Sequence, residues 1–181
     1  MPKNESVEAL NKLSLITRFI LDPAGLTKNC PWMKYAIPEL GIKEAPGDKN
    51  NPRVVEYLET VGFKQDSIDW CSAFVSWCMK SADNERSNKE VVKKMRSPAG
   101  AQSWLVWGMQ LTAPRFGAVT VLKNLSNPIY GHVAFYLGEY SDQILLLGGN
   151  QNHEVSVSSY EKKQLLQYRW SIKTFGGEKW V

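Results

Sequence analysis

The amino-acid sequence predicts an α+β fold in which N-terminal helices pack against an antiparallel sheet. Apolar residues recur at helical spacing through residues 6–81, with Gly and Pro between the segments. From residue 118 onward, short β-branched and aromatic runs alternate with Gly, Asn, Pro and Ser, which is typical of strands joined by turns. Helices followed by a run of strands are characteristic of α+β proteins, with the helices on one face or end of the sheet.

Four helices are predicted before residue 82. Their expected bounds are Ser6 to Leu21, Trp32 to Leu40, Pro52 to Thr60 and Trp70 to Ser81. Proline suits the first turn of the third helix, because the N–H that it lacks has no helical partner there. The fourth helix is apolar on almost every side, which indicates a buried central helix. An exposed, charged connection at 83–97 and a short helix from Ala99 to Gly108 are expected to follow.

About five strands are predicted in the second half of the chain. Their expected bounds are Ala118 to Leu122, His132 to Leu137, Ile144 to Leu147, Val155 to Val157 and Leu166 to Ile172. Each run is short and is followed by turn-forming residues, so we expect neighbouring strands to pair in antiparallel fashion.

One compact unit with an N-terminal extension is the expected domain organisation. A chain of 181 residues, 43% of them hydrophobic, can fill a single sizeable core. We expect residues 1–30 to form a helical extension and residues 31–181 to form the compact unit. The apolar stretch Leu13 to Leu21 is shorter than the roughly 20 residues of a membrane-spanning helix. It also lacks the basic leader and cleavage site of a secretory signal, so synthesis in the cytoplasm without a classical signal peptide is expected.

Charge and cysteine content narrow the classes of partner. A net charge of +4 without a dense Lys/Arg stripe predicts that the protein does not bind nucleic acid. We also expect a monomer. Three cysteines leave at least one free thiol. Cys71 and Cys78 lie two helical turns apart, about 10 Å, which is beyond the reach of a disulfide. The two histidines are far from a zinc-ligand spacing and the chain has no CxxC pair, so we expect no metal site and no cofactor.

Cys71 is the candidate nucleophile. It stands in the first turn of the predicted buried helix, where unpaired backbone N–H groups favour a thiolate. The approach Asp66 to Trp70 is partly polar, so the thiol could face a cleft, whereas Cys78 is one more apolar residue of the helix. Taken alone, a cysteine in such a helix is more often a buried core residue.

A histidine at the head of a strand makes the catalytic interpretation stronger. His132 begins the run to Leu137, and a neutral imidazole near the thiol can accept its proton. If the next strand pairs with this one, Asn150 lies beside His132 and its carbonyl can hold the second ring N–H. Gln151 is the near rival for that role. His153 is the rival base, but its turn position is typical of a solvated loop histidine.

Three ordered blocks carry a resemblance to a known superfamily. They are DWCSAFV at 69–75, GHVAFY at 131–136 and LGGNQ at 147–151. Together they resemble the CHAP and NlpC-type cysteine peptidases. ELGIKE at 39–44, followed by Gly47 and Asn51-Pro52, is similar to a bacterial and phage-associated branch. The resemblance spans residues 32–172; relatives commonly have Gly-Asp where this chain has Gly117-Ala118.

This resemblance implies a papain-like α+β fold and a Cys-His-polar triad made of Cys71, His132 and Asn150. It implies hydrolysis of an amide bond in peptidoglycan, either in the stem peptide or at the glycan–peptide junction, through a thioester. The backbone N–H of Cys71 is the natural first donor to the oxyanion, and Tyr57 is a candidate for the second. The candidates for substrate contact are Asp69, Trp70, Ser72, Tyr57 and Gln151, with core packing an equal explanation for Trp70.

Alternatives from other classes stay open. A cell-wall or protein binding module on the same fold would have lost catalysis, since fold does not imply function. A papain-like protease or transglutaminase would act on protein instead. A wall hydrolase without a classical signal suits a phage-type lysin or an antibacterial effector delivered by a secretion machine. It would act on the wall in the periplasm of a target cell or outside the cell, and an effector would require an immunity protein in the producing cell.

Overall fold

The computed structural model describes residues 2–47, 49–65, 68–84 and 99–172. Within these ranges, five α-helices precede a six-stranded antiparallel sheet. The predicted α+β class, with helices N-terminal to an antiparallel sheet, is therefore confirmed.

The helices largely follow the apolar periodicity of the sequence. They are α1 (Pro2–Leu21), α2 (Pro23–Thr27), α3 (Met33–Ala36), α4 (Pro52–Glu59) and α5 (Cys71–Asn84). The helix predicted from Trp32 to Leu40 is a single α-turn continued by the 3₁₀ turn Ile37–Glu39, because Pro38 lacks the N–H that a longer α-helix needs. The helix predicted from Ala99 to Gly108 is the 3₁₀ turn Ala101–Val106. Most of the charged connection predicted at 83–97 lies outside the described residues.

The sheet contains one more strand than predicted. Its strands are β1 (Met109–Leu111), β2 (Val119–Lys123), β3 (Gly131–Tyr140), β4 (Gln143–Gly148), β5 (Ser156–Glu161) and β6 (Leu165–Trp170), in the spatial order β1-β6-β2-β3-β4-β5. The missed strand, β1, is three residues long and has no β-branched residue, so its sequence has no strand signal. It forms only by pairing with β6.

Helix α5 is the centre of the core, and residues 71–79 are buried without interruption. It packs on β3 on one side and on α3 and α4 on the other. Aromatic rings fill this interior; the fully buried ones are Trp32, Trp70, Trp104, Tyr57, Phe74 and Phe135. The first residue of α5 is thereby held against the sheet.

Helix α1 covers the free edge of the sheet at β5. Glu8 accepts a hydrogen bond from the backbone N–H of Ser159 at 2.8 Å, and Leu15 is buried in the same hydrophobic cluster as the sheet. The boundary expected at residue 30 stays a prediction. Within the described ranges, no helix combines the length and the apolar character that crossing a membrane requires.

Candidate active site

Cys71 is the first residue of α5. The carbonyl of Trp70, the residue before the helix, accepts the N–H of Phe74 at 2.9 Å. This is the first hydrogen bond of the helix, and the N–H groups of its first turn therefore have no acceptor within the helix. Cys71 is buried, with 6% of the residue exposed. Burial raises the pKa of Cys71 to about 11, although backbone N–H groups of Val133, Ser72 and Cys71 itself favour the thiolate.

His132 lies next to Val133 on β3, the strand against which α5 packs. Because the Val133 N–H faces the Cys71 thiol, β3 brings His132 to the start of α5. Both residues line one pocket of about 360 Å³. The lining residues are Asp69, Cys71, Asn124, Tyr130, Gly131, His132 and Asn150. The structure thus unites the predicted nucleophile and base at one polar pocket.

Gln151 holds the His132 ring. The Gln151 side chain is almost fully buried, and its Oε1 lies 3.1 Å from His132 Nε2. At its other end, Gln151 Nε2 donates to the carbonyl of Ser156 at 2.6 Å. A carbonyl only accepts, so the amide nitrogen belongs there and Oε1 accepts the His132 Nε2–H. The lone pair of the imidazole is therefore on Nδ1.

The prediction that Asn150 holds His132 is wrong, and its rival Gln151 occupies that place. Asn150 Nδ2 instead donates to Asp69 Oδ1 at 2.9 Å. Phe135 pairs with Leu147, so a continued ladder would set Asn150 opposite His132. However, β4 ends at Gly148, and Asn150 has a left-handed φ of 56°. This turn breaks the alternation of a strand, and the next side chain, Gln151, points back to the imidazole.

Burial keeps both Cys71 and His132 neutral at rest. It lowers the pKa of His132 to about 4, against the opposing effects of the Gln151 hydrogen bond and the Asp69 charge. Since burial also raises the pKa of Cys71, a thiol and a neutral imidazole coexist across the physiological pH range. A reaction at Cys71 therefore requires that its proton be transferred as the sulfur attacks.

Three candidates for substrate contact are instead core residues. Trp70 is fully buried and donates its Nε1–H to Glu44, and Ser72 is fully buried and accepts from Trp104 at 2.8 Å. Tyr57 is also fully buried, and its hydroxyl donates to a carboxylate of the core, that of Glu39. Tyr57 thus does not reach the pocket as an oxyanion donor. Of the predicted substrate contacts, Asp69 is the one that lines it.

His153 matches the predicted loop histidine. Its side chain is 79% exposed, and its Nδ1 lies 2.7 Å from Glu44 Oε2.

Among the described residues, no group of three or more His, Cys, Asp or Glu is arranged to hold a metal ion.

Sequence reasoning missed three residues at the site. Asn124 and Tyr130 are the first and last residues of the β2–β3 loop and line the pocket, and Tyr130 is 60% exposed. The proximity of Tyr130 to His132 in the sequence was a usable signal. Tyr160 of β5 stacks on the His132 ring, with centroids 5.1 Å apart. No local pattern marks Tyr160, because its contact depends on the pairing of β3, β4 and β5.

The chain matches no family model, and no curated protein is similar to it at a significant level. The resemblance to CHAP and NlpC-type peptidases therefore stays a prediction that rests on the three sequence blocks. The geometry of the pocket is an independent basis for inferring the chemistry.

Proposed function

We propose that this protein is a cysteine amidohydrolase that cuts an amide bond in bacterial cell-wall peptide. The observation that carries the proposal is the pocket in which a helix-start thiol and a histidine come together. A buried amide acceptor holds Nε2 of that histidine. A nucleophile, a base and a group that orients the base are the parts of a cysteine hydrolase triad. Cys71, His132 and Gln151 fill these three roles.

The reaction begins when His132 Nδ1 removes the Cys71 proton as the sulfur attacks the amide carbon. The tetrahedral intermediate collapses to a thioester, and the leaving amine takes the proton from His132. Water then attacks the thioester with His132 again as base, which releases the acid product and restores the thiol. Gln151 keeps Nε2 protonated throughout, so Nδ1 is the nitrogen that exchanges the proton.

The start of α5 supplies electrostatic support for the oxyanion. Backbone N–H groups at a helix N-terminus are positively polarised and are aimed outward. The Cys71 N–H belongs to this group and is the first donor to the developing negative charge.

Polar groups around the pocket suit a peptide substrate. Asp69, Asn124, Tyr130 and Asn150 offer carboxylate, amide and hydroxyl groups for hydrogen bonds to a polar ligand. The choice of cell-wall peptide over other amides rests on the resemblance of the three sequence blocks. A role as an antibacterial effector, with its immunity protein, or as a phage-type lysin is part of the same proposal and rests on wall hydrolysis together with the expected absence of a classical signal.

Release of soluble fragments from purified sacculi tests the proposal. Cys71→Ala should abolish release, and Cys78→Ser, which changes a buried cysteine of the same helix, should retain it per folded molecule. Solubilisation by Cys71→Ala near the wild-type rate would contradict the nucleophile. Cleavage of an unfolded protein with intact sacculi would instead favour a protease, and slow, unselective alkylation of Cys71 without any turnover would favour a binding module.

A further inference from the structure

A tyrosine from β5 contacts both the His132 ring and the amide that holds it. The rings of Tyr160 and His132 are stacked, with 5.1 Å between centroids and 23° between planes. The Tyr160 hydroxyl donates to Gln151 Oε1 at 3.3 Å, the same oxygen that lies 3.1 Å from His132 Nε2. One side chain therefore touches two members of the proposed triad.

We propose that Tyr160 is a positioning residue that fixes the plane and the tautomer of the His132 imidazole. The inference rests on the proposed function in one respect, namely that His132 is the base. The Tyr160 ring restricts rotation of the imidazole, and the Tyr160 hydroxyl keeps the Gln151 carbonyl directed at Nε2.

Such restraint is required because one hydrogen bond leaves the imidazole free to turn. The torsion that rotates a histidine ring has broad minima, so a hydrogen bond at Nε2 alone permits a range of ring planes. A stacked ring on one face removes most of that range. The Tyr160 hydroxyl fixes the tautomer, because it holds the Gln151 amide in one orientation. A flipped Gln151 amide would present its NH₂ group to Nε2 of His132. That amide orientation would favour the other tautomer and remove the lone pair from Nδ1.

Backbone contacts fix the place of Tyr160 in the sheet. Tyr160 pairs with Ile144 in the β4–β5 ladder, and the N–H of its neighbour Ser159 is bound by Glu8 of α1. The titratable groups that act on the two stacked rings are Asp69 and Cys71 beside the pocket and Glu8 from α1. The half-buried Tyr160 ring also contributes to the burial that lowers the pKa of His132.

Nuclear magnetic resonance titration of the imidazole nitrogens tests this role without any substrate. The chain has two histidines, so His153→Gln assigns the His132 signals. The test variants are Tyr160→Leu, which removes the ring, and Tyr160→Phe, which removes only the hydroxyl. Tyr140→Leu is a matched control, because Tyr140 is a half-buried tyrosine of the same sheet that bonds Ser159 at 2.8 Å.

We expect wild type to hold the Nε2–H tautomer and to show upfield-shifted His132 ring protons. Tyr160→Leu should mix the tautomers, raise the pKa of His132 from about 4 toward its ordinary value and slow alkylation of Cys71 about tenfold. Tyr160→Phe should keep the low pKa of His132, and its alkylation of Cys71 should slow less than that of Tyr160→Leu. Tyr140→Leu should match wild type in both measurements.

An unchanged His132 tautomer and titration in folded Tyr160→Leu would overturn the proposal. If that variant does not fold, absence of the upfield shift in wild type overturns it equally. These readouts do not involve the cell wall, so failure of wild type to cut sacculi would refute the proposed function and leave the positioning role standing.

Discussion

Gln151 is a buried amide whose two ends are bound by different partners. Its carbonyl faces His132 and Tyr160, and its NH₂ group faces Ser156. Asn150, one residue earlier, has its amide directed at Asp69 on the pocket wall. The two neighbours therefore have separate tasks, and alanine substitutions should distinguish them.

Gln151→Ala should lower the acylation rate about 100-fold, because the base loses its orientation and its defined tautomer. Asn150→Ala should chiefly raise KM and leave the acylation rate within about threefold of wild type, because Asn150 contacts Asp69 rather than the base. Single-turnover acylation measures both, with circular dichroism to confirm folding. A larger acylation defect in Asn150→Ala would show that the triad assignment is wrong.

The pH profile reports the protonation of His132. As the proposed base, His132 can work only when neutral, so activity should fall as the pH drops through the pKa of His132, about 4. Burial sets that value below the ordinary 6.5, and hence kcat/KM should stay high at pH 5.5. The acid limb of kcat/KM, measured in buffers where the protein stays folded, checks this. A limb between pH 6 and 7 would mean that the imidazole is hydrated in the free enzyme.

At the scale of elements, α5, the helix that positions Cys71, is supported by α4 and by the 3₁₀ turn Ile37–Glu39 that comes before α4. Glu39 from the turn is 8% exposed, and Arg53 of α4 binds it through Nε at 2.7 Å and a second guanidinium nitrogen. Tyr57 donates to the same carboxylate, and Arg53 also lies over the ring of Trp77 in α5. This cluster joins three elements behind the candidate active site.

Arg53→Met should destabilise the fold by about 2–3 kcal/mol, since it leaves the Glu39 carboxylate buried without its cation. The Arg53 side chain is partly exposed, which places the expected cost below that of a fully buried pair. Lys162→Met is the control, because it breaks an exposed pair with Glu139 that is worth about 1 kcal/mol or less. Urea unfolding measures both, and equal midpoints for the two variants would contradict the stabilising role of the Arg53–Glu39 pair.

Local signals predicted much of the element order and two members of the proposed triad, Cys71 and His132, which line one pocket. Cys71 was found because α5 has an uninterrupted apolar pattern, and His132 because it heads a run of strand formers. The residue that bonds His132 was misassigned because a left-handed residue after β4 redirects the chain, which strand periodicity does not encode. Tyr160 and β1 depend on long-range pairing and have no signal in their own segments.

At the scale of the whole molecule, the sheet and α5 combine residues from distant segments into one pocket. Cys71 comes from the helical half of the chain. His132 comes from β3, Gln151 from the turn that follows β4, and Tyr160 from β5. Helix α1 covers β5 from outside through Glu8. The proposed catalytic unit therefore draws on both halves of the chain and is supported at its edge by the N-terminal helix.

The most direct measurement is mass spectrometry of muropeptides released from sacculi digested in heavy-oxygen water. Wild type should produce a new amine end and a new carboxylate that carries one heavy oxygen, because water hydrolyses the proposed thioester. Cys71→Ala and His132→Ala should each produce neither, with Cys78→Ser as the active control. New amide-derived ends at the wild-type rate from folded Cys71→Ala, or no new end from wild type, would contradict a cell-wall amidohydrolase centred on Cys71.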